Sequence, residues 1–218
     1  MADLKNWTGA ARPVRSVLEG RYTRLEPLDA GRHAADLLAP GAEARFCYLF
    51  EAPPRSADDM AAWLAKAAAS EDPLFFAVVD RQSGVAHGRQ SLMRIDPAHG
   101  VIEVGNILWG PGIARSRIAT EALYLFARHV FEDLGYRRLE WKCNSRNEAS
   151  RRAALRFGFQ FEGMFHQHMV VKGQNRDTAW FAMLDADWPG LKARFASWLA
   201  PDNFTADGEQ KRKLAIAS

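Results

Sequence analysis

The chain has 218 residues, 48% of them hydrophobic and 25% charged, a balance that excludes a disordered or fibrous chain and suits one ordinary domain with a large core. Its net charge of +3 permits anionic ligands without amounting to a nucleic-acid signature, and no apolar run reaches the roughly 18 residues of a membrane span. Cys47 and Cys143 each stand alone, which excludes a disulfide framework and a zinc knuckle; MADLKNWTG lacks a secretory apolar core, so a cytoplasmic location is expected.

Residues 1–20 show no period and read as an arm over the domain, with Trp7 as its candidate anchor. A single domain is expected over 21–200 and a mobile tail over 201–218. The residues from Arg21 alternate as a short strand, and Asp29 caps a helix that ends at Pro40-Gly41. Ala44 to Phe50 reads as a further helical turn, and Ser56 caps a helix carrying Met60, Trp63, Leu64 and Ala67.

Leu74–Val79 and Val85–Ile95 form a hairpin with a bulge expected at Gly88, and 101–109 completes an antiparallel meander. In this last strand Glu103 and Asn106 interrupt an otherwise apolar run. Ile118, Ala122, Phe126, Val130 and Leu134 then recur every fourth residue as the stripe of a long helix, closed by Gly135. Arg138–Cys143 is the next strand, expected to run parallel to 101–109. A helix over Glu148–Phe157 follows, with Ala149, Ala153, Ala154 and Phe157 inward. Phe159–Val171 and Thr178–Leu184 pair as strands, and Trp188–Leu199 is the last helix.

Between strand and long helix, Gly110-Pro111-Gly112 breaks the chain and Ala114-Arg115-Ser116-Arg117 leads into the first helical turn. Helix-end amides without internal partners, with two guanidinium groups beside them, favour a phosphate or diphosphate. Neither common nucleotide fingerprint is present here.

Four stretches in this order resemble the GCN5-related N-acetyltransferase (GNAT) superfamily, and within it the ribosomal-protein N-terminal acetyltransferase (Rim-type) branch. They are Ala119-Thr120-Glu121-Ala122-Leu123, Leu134-Gly135-Tyr136-Arg137-Arg138-Leu139, Asn147-Glu148-Ala149-Ser150, and Phe157-Gly158-Phe159 followed by Phe161-Glu162-Gly163. The resemblance implies an α+β fold: a mostly antiparallel mixed sheet, helices on both faces, and a splay between the fourth and fifth strands, 101–109 and 138–143. It also implies acetyl-CoA as cosubstrate. The pyrophosphate would rest on Arg115, Ser116, Arg117, Ile118, Ala119 and Thr120, and the pantetheine arm on backbone groups of Ile107, Leu108 and Trp109 and on Asn147. Asn147 reads equally as a helix cap.

The family builds this turn as Gln/Arg-x-x-Gly-x-Gly/Ala, whereas here Ala114 replaces the first polar residue and Arg117 the middle glycine. Either Arg117 adopts a glycine-like backbone angle or its side chain reaches the phosphates.

The implied reaction is acetyl transfer to a primary amine by direct attack on the thioester. Glu103 is the leading base, or else a strand residue held in a salt bridge, and His168 is the alternative base. A backbone amide near Leu108 would meet the oxyanion, and Ser150 is the candidate acid, or a second cap residue. His166 and His168, two apart on a strand, are expected on one face. Arg176 and Asp177 shape the substrate end or form a hairpin salt bridge. No metal is expected. The acceptor is an amine-bearing small molecule or a protein N-terminus, and a homodimer is left open. The alternatives are a non-catalytic acyl-CoA-binding protein and an RNA-binding module using Arg137, Arg138, Arg146, Arg151, Arg152 and Arg156.

Overall fold

The alternating stretches assemble into one eight-stranded sheet. In the computed structural model, which describes residues 4–38 and 43–214, the strands are β1 (Leu18–Glu19), β2 (Thr23–Pro27), β3 (Leu74–Asp80), β4 (Ala86–Asp96), β5 (Val101–Trp109), β6 (Arg138–Asn144), β7 (Gln160–Val171) and β8 (Gln174–Leu184). The helices are α1 (Ala30–Leu37), α2 (Ala57–Ala69), α3 (Arg117–Arg128), α4 (Glu148–Arg156) and α5 (Trp188–Leu199). Strand order is β1-β2-β3-β4-β5-β6-β8-β7, and β5 with β6 is the parallel pair. The expected α+β class is the one the chain adopts.

Strand β3 shows why helices cover both faces, since successive side chains of a strand point opposite ways. Phe76 and Val78 join the main core with Phe126 of α3 and Phe195 of α5. Phe75, Ala77 and Val79 pack on Leu37, Met60 and Leu64 of α1 and α2. The caps are the expected ones: Asp29 Oδ1 accepts from Arg32 N at 2.8 Å, and Ser56 Oγ from Asp59 N at 3.1 Å. The Pro40-Gly41 stop lies outside the described residues.

Helix α3 buries Ala122 and Phe126 of its stripe and then widens into a π turn over His129–Asp133, where His129 Nδ1 and Asp133 Oδ2 lie 2.8 Å apart. Gly135 follows at φ +74, a left-handed angle suited to glycine. Inside the helix Glu121 is 4% exposed and ties α3 to the start of β2. Its carboxylate accepts from the amides of Arg21, Tyr22 and Thr23 at 2.8, 2.6 and 2.7 Å.

Three expectations need correction. The register change between β3 and β4 makes His87 the extra residue, while Gly88 lies where β4 passes close to β5; a Cβ on Gly88 would meet Leu108 O at 2.5 Å. Ala149 is exposed, because α4 turns inward only from Ala153 and Ala154 onward. The segment expected as a tail is packed as far as Leu214: Phe204 and Leu214 are each 6% exposed in the main core. Asn203 binds it back, donating to Trp198 O at 2.8 Å and accepting from Arg212 N at 2.9 Å. Two isolated apolar anchors carry no period, so nothing in the sequence pattern revealed this packing. The N-terminal arm does lie on the domain, with Trp7 Nε1 donating to Ala98 O at 2.7 Å.

Candidate functional site

The site starts from a polar residue inside an apolar strand. Between the pairs Ser91↔Gly105 and Arg89↔Leu108, β4 has one intervening residue and β5 has two, Asn106 and Ile107, which makes a bulge. Asn106 takes φ +51, a conformation asparagine tolerates better than most residues. Its Nδ2 donates to Ser91 Oγ at 3.1 Å, and its carbonyl accepts from Arg89 Nη1 at 3.0 Å. The parallel ladder runs from Val101↔Arg138 to Val104↔Trp141 and stops there. Past that point β5 and β6 part, at the junction where a splay was expected, and β5 backbone groups there have no ladder partner on the β6 side. The sequence signal is the interruption of the apolar run at Asn106, which local pattern alone does not distinguish from an ordinary polar strand residue.

Beyond Trp109 the chain reverses in a tight turn. Ile113 N and Ala114 N both donate to Gly110 O, at 3.2 and 3.1 Å, and Gly110 N donates to His87 O at 2.8 Å. The left-handed angle of this turn falls on Arg115, at φ +65, and not on Arg117. Ser116 caps α3, its Oγ accepting from Ile118 N and Ala119 N at 3.1 and 3.4 Å. Arg117 is already helical, and its guanidinium stacks 4.5 Å from the Tyr22 ring and 5.4 Å from Phe204. Of the two readings of Arg117, the glycine-like angle falls on Arg115 instead, so that α3 has already begun at Arg117.

Glu103 lies at the inner end of the cleft, 3% exposed. Its Oε2 meets Arg94 Nη1 at 2.6 Å and Lys142 Nζ at 3.0 Å. Lys142 also pairs with Glu140 at 2.6 Å and sits 3.8 Å from the centre of the Trp180 ring. The salt-bridge reading of Glu103 is thus present, and the carboxylate also lines the cleft that holds Asn147, Ser150 and His168. Nothing in local spacing marks Arg94 and Lys142, because cross-strand contacts leave no trace there.

Asn147 and Ser150 serve as cap and first turn of α4, with Asn147 Oδ1 accepting from Ser150 N at 3.1 Å. Ser150 Oγ accepts from Trp141 Nε1 at 2.9 Å. It also bonds to Cys143, whose thiol burial pushes up despite that hydrogen bond. His168 Nδ1 lies 3.0 Å from Thr178 Oγ1, whereas His166 Nδ1 lies 3.1 Å from Asp177 Oδ2. Asp177 and Thr178 are consecutive on β8 and face opposite ways, so the two histidines do not share a face. The cause is a bulge between Phe165 and Met169 with Gln167 at φ +48.

The segment before α2 forms the outer wall. Residues 43–48 form a 3-10 helix whose flank is pinned at three points: Arg45 Nη1 to Trp109 O at 2.8 Å, Tyr48 Oη to Arg146 O at 3.0 Å, and Lys172 Nζ to Phe46 O at 2.9 Å. Arg45, Tyr48, Leu49 and Phe50 line the cleft opposite β6. Arg176 is 7% exposed, and its expected salt bridge with Asp177 is absent: Asp177 accepts from Gln167 N and Asn175 instead, which with His166 holds its carboxyl at about 2.

Most of the arginines considered as a basic patch are engaged within the protein. Arg138 pairs with Glu140 and Glu162, Arg152 with Glu148, Arg156 donates to Thr120 Oγ1, and Arg137 lies over Trp7. That leaves little free charge for nucleic-acid phosphates. Among the described residues no helix is long and apolar enough to cross a membrane.

The family model described as an acetyltransferase (GNAT) domain matches residues 23–160. A GCN5-related N-acetyltransferase from Brucella melitensis is 57% identical, with 97% of each chain covered and a TM-score of 0.94. A probable GNAT-family acetyltransferase from Chromobacterium violaceum is 41% identical over 87% of this chain and 96% of its own, at TM-score 0.80. A microcin C7 self-immunity acetyltransferase, solved with acetyl-CoA and AMP, shares the fold at 18% identity and TM-score 0.67, covering 76% of this chain and 93% of its own. Among curated proteins the comparison finds no match.

Proposed function

The chain belongs to the GNAT acetyltransferase family, and from that premise we propose that it acetylates a primary amine seated beside Glu103, with acetyl-CoA as donor. The observation that carries this reading is the parting of β5 from β6 after Val104, directly ahead of the capped turn that opens α3. An extended thiol carrier fits such a gap, since β5 offers backbone groups without ladder partners and α3 offers a positive helix end. Ile107, Leu108 and Trp109 with Asn147 would hold the arm. Arg115, Ser116, Ile118, Ala119 and Thr120 would hold the diphosphate, with Arg117 taking part through its backbone.

Bound acetyl-CoA supplies a thioester carbonyl that exchanges its C–S bond for a C–N bond with the amine. The protein has to manage the protons. An alkylammonium with pKa near 10.4 must lose one before it can react, and Glu103 is the carboxylate at hand. Arg94 and Lys142 hold that carboxylate in place. Ser150, oriented by Trp141 and by the cap of α4, would return a proton to the departing sulfur. His168 is the second acceptor in the same cleft.

Asn147 and Ser150 in this layout, together with the four sequence stretches, favour the Rim-type branch as the source of the site's architecture. Two free cysteines suit a reducing, cytoplasmic compartment. Thiol release from acetyl-CoA, measured against a panel of primary amines, is the test: release should depend on the amine. Binding of coenzyme A with no amine-dependent release would favour a protein that only holds the acyl carrier.

A further inference from the structure

Resting on the acetyl-transfer reading, the cleft also carries information about the acceptor. Arg176, on β8, points into it while 7% exposed. Its Nε is buried without a hydrogen-bond partner, and among the described residues no carboxylate lies within salt-bridge distance of its guanidinium. Its neighbour is the Phe50 ring, 5.0 Å away. Burial lowers its pKa from the ordinary arginine value, and the charge of Glu103 reaches it without pairing. A buried arginine with no counter-charge costs stability, and such a cost is kept where a ligand supplies the missing anion.

The rest of the lining points the same way. Arg45, Arg94, Lys142 and Arg176 face the cleft, and Glu103 is the carboxylate among its lining residues. Lys142 and Arg94 are matched by Glu103 and Glu140, and Arg45 by a carbonyl, which leaves Arg176 as the uncompensated cation. A guanidinium presents its donors in a planar fork that fits a carboxylate. The wall that carries Phe50 is tied by Tyr48 to Arg146 and by Lys172 to Phe46, so it forms a fixed side of the cleft facing Arg176.

We propose that the acceptor is a small amino acid, its amine directed to Glu103 and its carboxylate bound by Arg176.

The test compares L-amino acids with their carboxamides, with phosphoethanolamine and with a short amidated peptide, in thiol release from acetyl-CoA by the wild type, Arg176→Met and Arg176→Lys. At least one amino acid should have a KM tenfold or more below that of its carboxamide. Arg176→Met should raise that KM tenfold or more while leaving the carboxamide within twofold, and Arg176→Lys should recover part of the difference. The melting temperature of Arg176→Met should equal or exceed that of the wild type. Preference for carboxamides, the peptide or phosphoethanolamine, or an equal loss on acid and amide, overturns the inference and leaves acetyl transfer standing. If no amine releases thiol, acetyl transfer itself fails. The same amino acids are then scored by thermal shift, where stabilisation lost in Arg176→Met sustains the carboxylate site and its absence in the wild type overturns it.

Discussion

Glu121→Ala is expected to destabilise the fold by about 1–3 kcal/mol, the range for leaving a buried backbone donor without its acceptor. One carboxylate gathers three consecutive amides, those of Arg21, Tyr22 and Thr23, at the point where the chain enters β2. Alanine leaves all three donors without this acceptor, the buried Thr23 amide at the greatest cost. For a chain of this size the loss corresponds to a fall in melting temperature of roughly 5 °C. Glu121→Gln should be milder, because its remaining oxygen can stay with Tyr22 and Thr23. A thermal melt of Glu121→Ala within 2 °C of the wild type would show that β2 and α3 are held together by other means. The effect lives in packing, not in chemistry: the residue lies one turn into α3, and its carboxylate is engaged by the amides that open β2.

Glu103→Gln is expected to lower the rate of amine acetylation at neutral pH by about 10²–10⁴-fold, the span of positioned base catalysis. The fold should survive the change, since Lys142 keeps Glu140 at 2.6 Å and the Trp180 face at 3.8 Å. Loss of rate with an intact melting transition is thus the expected pair of results, read by thiol release and by a thermal melt. His168→Ala serves as the comparison. If Glu103→Gln kept full rate and His168→Ala lost it, the proton would go to the imidazole held by Thr178, and Glu103 would be a structural anchor for two cations.

Much of the architecture was legible because periodicity reports burial. The stripe from Ile118 to Val130, the caps at Asp29 and Ser56, and the parallel placement of 101–109 beside 138–143 all follow from side-chain period and turn chemistry. What escaped falls into two physical kinds. One is the β-bulge, which depends on the backbone angle of single residues: Asn106 parts the sheet, and Gln167 turns His166 and His168 to different partners. The other is contact between elements distant in sequence. The matching of Glu103 by Arg94 and Lys142, the pinning of residues 43–50, and the docking of Phe204 and Leu214 join residues that no local pattern relates. Arg117 belongs to the second kind, since its guanidinium stacks on Tyr22 and Phe204, residues far from it in sequence.

The central claim is that the start of α3 grips the diphosphate of a thiol carrier, and calorimetric titration with coenzyme A reads it most directly. The wild type should give heat at one site per chain. Ser116→Asp keeps a residue able to cap the helix while placing a negative charge where the diphosphate would rest, so it should fold normally and lose most of that binding. No heat with the wild type, or equal affinity in Ser116→Asp, would contradict the account.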